Sequence, residues 1–243
     1  MTTANPFSEL IRSRRSVRDF LPTPIPDAVL QSVLADANQS PSWSNTQPYR
    51  IAVASGAVRD RLAAQLTERF ELGMKAQRKG WWGKLHLLTR QRHVLPDGDF
   101  ETNFAYPEDL QPQRRATGHG LYQLLGIDRN DHAAREAQMR RNFEFFGAPT
   151  AIFVFVHSGL REFSVLDAGI YLQSLMLSAH AHGLGTCAQG ALATWAGPVR
   201  QAFDVPADYK LIAGVSMGFA SRHAINHYNP GRGIAESFLL AER

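Results

Sequence analysis

Cysteine is almost absent: Cys187 stands alone among 243 residues. No internal disulfide can form, and a cysteine-based zinc site or iron–sulfur cluster cannot be built from this chain alone. There are nine histidines, but no HExxH, and His180 and His182, two apart in a helical run, would point in different directions. No uncharged apolar run reaches the roughly 18 residues that a membrane span needs. The nearest, over 168–184, is interrupted by Gln173, Ser174, Ser178, His180 and His182 and reads as a buried helix. The opening MTTANPFSELIRSRRS meets charge within ten residues and lacks the apolar stretch of a signal peptide, so the cytoplasm is the expected address. Internal repeats, low-complexity linkers and long charge runs are also lacking. Neither GxGxxG after a strand nor GxxxxGK[ST] occurs. Ser216 belongs to no recognisable Ser–His–Asp set, and Glu144, Glu162 and Asp167 read as surface or capping carboxylates rather than a glycosidase pair.

What the chain does contain is enough apolar material for a core, with 44% hydrophobic and 20% charged residues. Lysine and arginine number 26 against 22 acidic residues, a net charge of +4. The arginines are dispersed rather than gathered into a stripe, which argues against a nucleic-acid binder and leaves a few positive charges in need of a destination. Helical patterns occupy 6–15, 27–37, 57–78, 121–125, 133–146 and 164–182. Strands are predicted at 50–54, 151–156 and 211–217, the second being continuous, branched and aromatic. Residues 183–190 read as a glycine-punctuated turn. The stretch from about 80 to 112, with Trp81, Trp82, Phe100, Phe104 and Tyr106, reads as a lid-like insert, helical over 82–90, in a single domain spanning 1–243. Long helices outnumber three or four strands without regular βαβ spacing, an α+β chain that is α/β by content.

Four segments carry chemical character. Arg14, Arg15, Ser16 and Arg18 offer fork-shaped donors suited to a phosphate, though a helix C-terminus also favours cations with no ligand. Pro41, Ser42, Trp43, Asn45 and Gln47 lie in a polar loop able to face a heterocycle or simply to cap the next strand. Gly183 and Gly185 precede Cys187, Ala188, Gln189 and Gly190, where main-chain N–H groups could approach a ligand. Arg232 sits between glycines and, paired in space with Arg14, would form a phosphate clamp. The lack of a convincing acid, base or metal points to chemistry carried by a bound cofactor.

In order along the chain, Arg14-Arg15-Ser16-x-Arg18-x-Phe20, the SPSxxNTQP run over 40–48, Asp167-x-Gly169-x-x-x-Gln173 leading to Gly183-Leu-Gly-Thr186, and the late Arg232 resemble the FMN-dependent nitroreductase family. Residues 122–129 and 141–149 resemble its nitrobenzoate and nitrobenzene reductase branch. The resemblance implies a mixed, mostly antiparallel sheet flanked by helices, in an intertwined homodimer that exchanges its C-terminal segment. It places Arg14 and Arg232 on the FMN phosphate, Arg15 and Ser16 along the phosphate and ribityl chain, and Arg18 at the N1/O2 edge, where its charge favours the reduced flavin. The backbone around Cys187, Ala188, Gln189 and Gly190 would face N5 and O4, with Pro41, Ser42, Trp43, Asn45 and Gln47 coming from the partner subunit. Position 189 is often a glutamate in the family, and the late basic motif often has two cations rather than Arg232 alone. The implied activity is ping-pong reduction of small nitroaromatic substrates by NADH or NADPH, without metal, membrane or nucleic acid. A flavin-dependent dehalogenase, a dehydrogenase of the same fold and a non-catalytic flavin module remain alternatives.

Overall fold

The computed structural model describes residues 5–242. Its centre is a four-stranded sheet in the order β1-β2-β4-β3, with β1 at Tyr49–Ser55, β2 at Thr150–His157, β3 at Gly185–Gln189 and β4 at Tyr209–Gly218. All three strand pairings are antiparallel. The parallel element is a single bridge, Ser16 to Thr186, which lays the arginine-rich segment along the outer edge of β3. Residues 183–190 therefore depart from the predicted turn. Gly183, at φ +75°, turns the chain, and from Gly185 it runs extended between β4 and the 16–17 segment.

β2 explains the layering. Successive strand residues face opposite sides of a sheet, and every residue of β2 up to Val156 is buried. Ala151, Phe153 and Phe155 enter one core with Leu62, Leu66 and Phe70 of α3 (Gly56–Arg78). Ile152, Val154 and Val156 enter the other, with Val33 and Ala37 of α2 (Asp27–Ala37) and Tyr171, Leu175 and Ala179 of α7 (Glu162–Ala181). Helices cover both faces, so the strand is apolar throughout rather than alternating.

The first helix, α1 (Pro6–Ser13), starts where Asn5 accepts the Phe7 N–H and Pro6 takes a first-turn position that needs no donor. It ends at Arg14, whose N–H donates to Leu10. α4 (Gly80–Arg90) folds back on α3, and Gly83 makes the close crossing possible: a Cβ there would lie 2.0 Å from the Ala76 oxygen. The insert then returns to the body. Trp195 Nε1 donates to Val94 O, Asp97 accepts from Arg69 and the Gly197 N–H, and Asp99 accepts from Arg200 and the Leu211 N–H. Its middle is thus seated on the protein, while Trp81 and Trp82 stay exposed.

α5 (Gln111–Leu124) precedes α6 (His132–Arg140). The helix predicted over 133–146 stops at Arg140, because the chain enters a tight turn with Phe145 and Phe146 at φ +56° and +53°. Left-handed backbone costs a non-glycine residue about 1–3 kcal/mol, and full burial of both rings holds it in place. The short α8 (Gly197–Ala202) leads to β4. No helix among the described residues is long and apolar enough to cross a membrane.

Candidate functional site

The bridge between Ser16 and Thr186 is the organising contact. Val17 N–H donates to Thr186 O at 2.9 Å, and the Val17 side chain lies over Gly185, where a Cβ would sit 2.6 Å from Cγ2. Only glycine lets the two segments come this close. Arg14 to Arg18 are thereby set beside Cys187 to Gly190, and the charges of Arg14 and Arg18 both reach the Cys187 thiol.

The same segment is clasped from the other end of the chain. The buried Asn226 side chain accepts the N–H groups of Arg18 (2.8 Å) and Asp19 (3.1 Å) through Oδ1, and its Nδ2 donates to Asp19 O (2.7 Å) and Ser221 O (3.1 Å). Arg15 Nη1 donates to His227 O, which brings residues 229–232 alongside. The result is a cavity of about 510 Å³ lined by Arg12, Arg14, Arg15, Gln173, Asn229 and Arg232, among others. Among the described residues no carboxylate lies within ion-pair distance of any of these four arginines. Burial, and then the charge of Arg232, pull Arg14 below its ordinary value. Behind it, burial and the Arg14 charge also lower His180, whose Nε2 lies 2.8 Å from Ser13 Oγ. Gathered guanidiniums that repel one another and have no internal counter-ion form a donor set for a phosphate. The group implied by the sequence resemblance fits the residues present.

β3 sorts its side chains clearly. Cys187 and Gln189 turn inward, while Ala188 and, just beyond the strand, Gly190 are exposed. Gln189 Nε2 donates to Asn142 O and Oδ1, and its Oε1 accepts from Ser216 Oγ. The contribution of Cys187 and Gln189 to a ligand on this face is therefore main-chain only. Burial raises the Cys187 thiol to about 11 against the opposing pull of Arg18 and Arg14, which keeps it protonated near neutrality. Ser216 has glycines two residues away on either side, as in a nucleophile elbow, but it lies within β4 and is fully buried. It is a structural donor.

The loop at 41–47 is held differently. Trp43 N–H donates to both oxygens of the buried Asp167, Ser42 Oγ accepts from Gln47 N–H, and Gln47 Nε2 donates to Asn45 Oδ1. Ser44, Asn45 and Gln47 all have positive φ. Trp43 packs on Phe163 with ring centroids 4.3 Å apart. Pro41 opens the loop. The loop contacts α7 at Asp167 and the preceding Ser40 contacts it at Ser174, whereas the arginine cavity meets the same helix at Gln173, with His180 behind it against Ser13. At 3.6 residues per turn, Asp167 and Gln173 lie about 120° apart around the axis, and Asp167 and His180 are separated by roughly 20 Å along it. Within one chain the structure unites Arg14, Arg15, Ser16, Arg18, Arg232 and the 187–190 backbone. It leaves Pro41, Ser42, Trp43, Asn45 and Gln47 on another face.

Asn142 and Asn226, which the sequence reading missed, are single asparagines with no motif around them. The only available hint was the Arg141–Pro149 phrase that contains the first. No cluster of three or more His, Cys, Asp or Glu able to hold a metal occurs among the described residues.

Comparison with known proteins supplies the context. Residues 11–219 match the nitroreductase family. The chain is 32% identical to a 4-nitrobenzoate reductase of Pseudomonas putida over 96% of its length and 93% of that protein. It is 29% identical to a chloronitrobenzene nitroreductase of Comamonas testosteroni, covering 98% and 97%. The crystal structure of the FMN-dependent nitroreductase NfnB from Mycobacterium smegmatis in complex with NADPH superposes with a TM-score of 0.82 at 31% identity, covering 98% of each chain. With an unpaired arginine cavity, a strand-edge backbone and this extent of similarity in hand, the chain belongs to the nitroreductase family.

Proposed function

We propose that the protein reduces nitroaromatic compounds, using FMN as its bound cofactor and NADH or NADPH as electron donor. The observation that carries this reading is the arginine cavity of Arg14, Arg15 and Arg232, on a segment bridged to β3 at Thr186, in a nitroreductase-family chain. Bound FMN supplies the two-electron redox chemistry that the side chains lack. Arg14 and Arg232 would hold its phosphate, Arg15 and Ser16 would line the route from phosphate to ring, and Arg18 would supply a cation near the ring. The main chain of Ala188, Gln189 and Gly190 would meet its reacting edge, with water as the proton source.

The second half of the pocket comes from another copy. Pro41, Ser42, Trp43, Asn45 and Gln47 pack on α7 through Asp167, away from the arginine cavity, and in this reading serve the flavin held by the partner. Two exposed apolar surfaces support a homodimer. One lies on α7, where Phe163 and Leu166 are 46% and 59% exposed; the other is the C-terminal segment, where Phe238, Leu239 and Leu240 are at least 75% exposed. Apolar groups so grouped mark an interface, and the segment reaches across to the partner.

Two measurements test the reading. Anaerobic mixing of FMN-loaded protein with NADH or NADPH should bleach the flavin, and 4-nitrobenzoate or a chloronitrobenzene should restore its colour. Bleaching by neither nicotinamide would leave a flavin-binding module and end the reductase reading. Arg14→Ala should remove a charge-assisted hydrogen bond of about 1.5–3 kcal/mol and weaken FMN binding roughly ten- to hundredfold. Unchanged affinity would remove the phosphate assignment.

A further inference from the structure

We propose that the turn carrying Arg141 and Asn142 is a positioning brace that sets both edges of the flavin-facing surface at once, an inference that rests on the FMN reading above. Adjacent residues of this turn grip two segments far apart in sequence. Arg141 Nη2 donates to Asp19 Oδ1 at 2.5 Å, and Asp19 directly follows Arg18. Asn142 takes the Gln189 amide, through its main-chain oxygen at 3.0 Å and its Oδ1 at 3.3 Å. The first contact fixes the segment that carries Arg18, the cation this reading sets beside the flavin ring. The second fixes the residue whose backbone meets the reacting edge.

The brace is stiff on its own side. Arg59 of α3 donates to Glu144 O at 2.6 Å and to Ala148 O at 2.9 Å, closing the turn around the left-handed Phe145 and Phe146. Arg141 itself lines a groove with Arg59, Thr67 and Glu144, apart from the arginine cavity, so it acts through Asp19 rather than on a ligand. On the far side Asp19 is fully engaged. Its carboxylate also accepts from Ser221 Oγ, and its backbone is held by Asn226. Burial pushes the Asp19 carboxyl up, but hydrogen bonds from Ser221 and Arg141 and the charges of Arg141 and His223 hold it below its ordinary value, so it is ionised at neutral pH.

The chemistry of Gln189 is equally specific. The residue is 5% exposed, and its amide donates to Asn142 and accepts from Ser216. A carboxylate there would turn lone pairs toward the Asn142 carbonyl, whereas an amide satisfies both neighbours. Gln189 is thus matched to the turn, and the turn to Arg18.

The test uses the full-length chain with Arg141→Met and Gln189→Met, singly and together. FMN is titrated into apoprotein by fluorescence quenching, and flavin bleaching by NADPH is followed in a stopped-flow instrument. FMN should still bind, with affinity lowered by no more than about tenfold, because the phosphate cavity is untouched. Each single variant should slow bleaching by about tenfold or more, as misplacement of reacting groups does. The double variant should be no slower than the worse single, and Arg141→Lys, which keeps a cation opposite Asp19, should recover most of the rate. Independent, multiplying losses, or wild-type rates in the singles, would overturn the brace. Should the buried Gln189→Met fold poorly, Arg141→Met decides through the midpoint potential of bound FMN. That potential moves if Arg18 is displaced and keeps its wild-type value if the Arg141–Asp19 pair is merely structural. A wild-type chain that binds no FMN would overturn both readings, whereas variants that bind and bleach normally would overturn this one alone.

Discussion

Arg14 and Cys187 illustrate how one neighbourhood acts in opposite senses on two residues. Burial disfavours charge on both, but the guanidinium keeps its charge and waits for an anion, while the thiol keeps its proton. Cys187 is 3% exposed, and its thiol is raised from 9.0 to about 11. The native protein at pH 8 should therefore resist iodoacetamide, and the same thiol should alkylate readily once the chain is unfolded. Rapid native alkylation would mean that the strand edge opens far more often than its packing implies. The raised value also sets a direction for stability. The folded state holds this proton more tightly than the unfolded chain, so the contribution is complete below about pH 9. It drains away as pH climbs toward 11, and Cys187→Ala should lack that part of the alkaline loss.

Among the elements, β3 depends most on a residue that never touches a ligand. Gly185→Ala would drive a methyl group into Val17, a branched side chain with little room to move. The 14–18 segment should lift from the sheet edge and FMN affinity should fall by about tenfold or more, with every arginine still present. Binding equal to wild type would show that the bridge is not what aligns the cavity. β3 was also the strand the sequence concealed. Its five residues, Gly-Thr-Cys-Ala-Gln, offer one branched side chain, begin on a glycine and follow Gly183, which is the composition of a turn. By contrast, β2 was legible because both its faces are buried, and α7 because its length and apolar content leave few alternatives. The end of α6 was illegible, since nothing in Phe145 or Phe146 advertises a left-handed backbone. For the site, the arginines and the 187–190 segment were readable from residue type and order. Asn142 and Asn226 were not, because an asparagine becomes a clasp only through partners brought to it by the fold.

At the scale of the whole molecule, the proposed pocket draws on two faces of α7, and under that proposal the protein should sediment at twice its 27.0 kDa mass. Removing residues 234–243 should loosen the dimer and release FMN while leaving the sheet and both cores folded. A truncated chain that stays dimeric and flavin-bound would show that the C-terminal segment is not the crossing arm. The Asn226 clasp has a consequence for how the protein is made. The strands are complete by Gly218 and both cores by Phe219, yet the cavity needs residues 226–232 to close against residues 14–18. During synthesis the scaffold can condense around its sheet while the cofactor cradle is still open, because one wall has yet to be translated. Contacts of such long sequence separation form late and carry the largest loop-closure cost. Flavin uptake then marks a finished chain, and products cut short after the last strand should be folded and colourless.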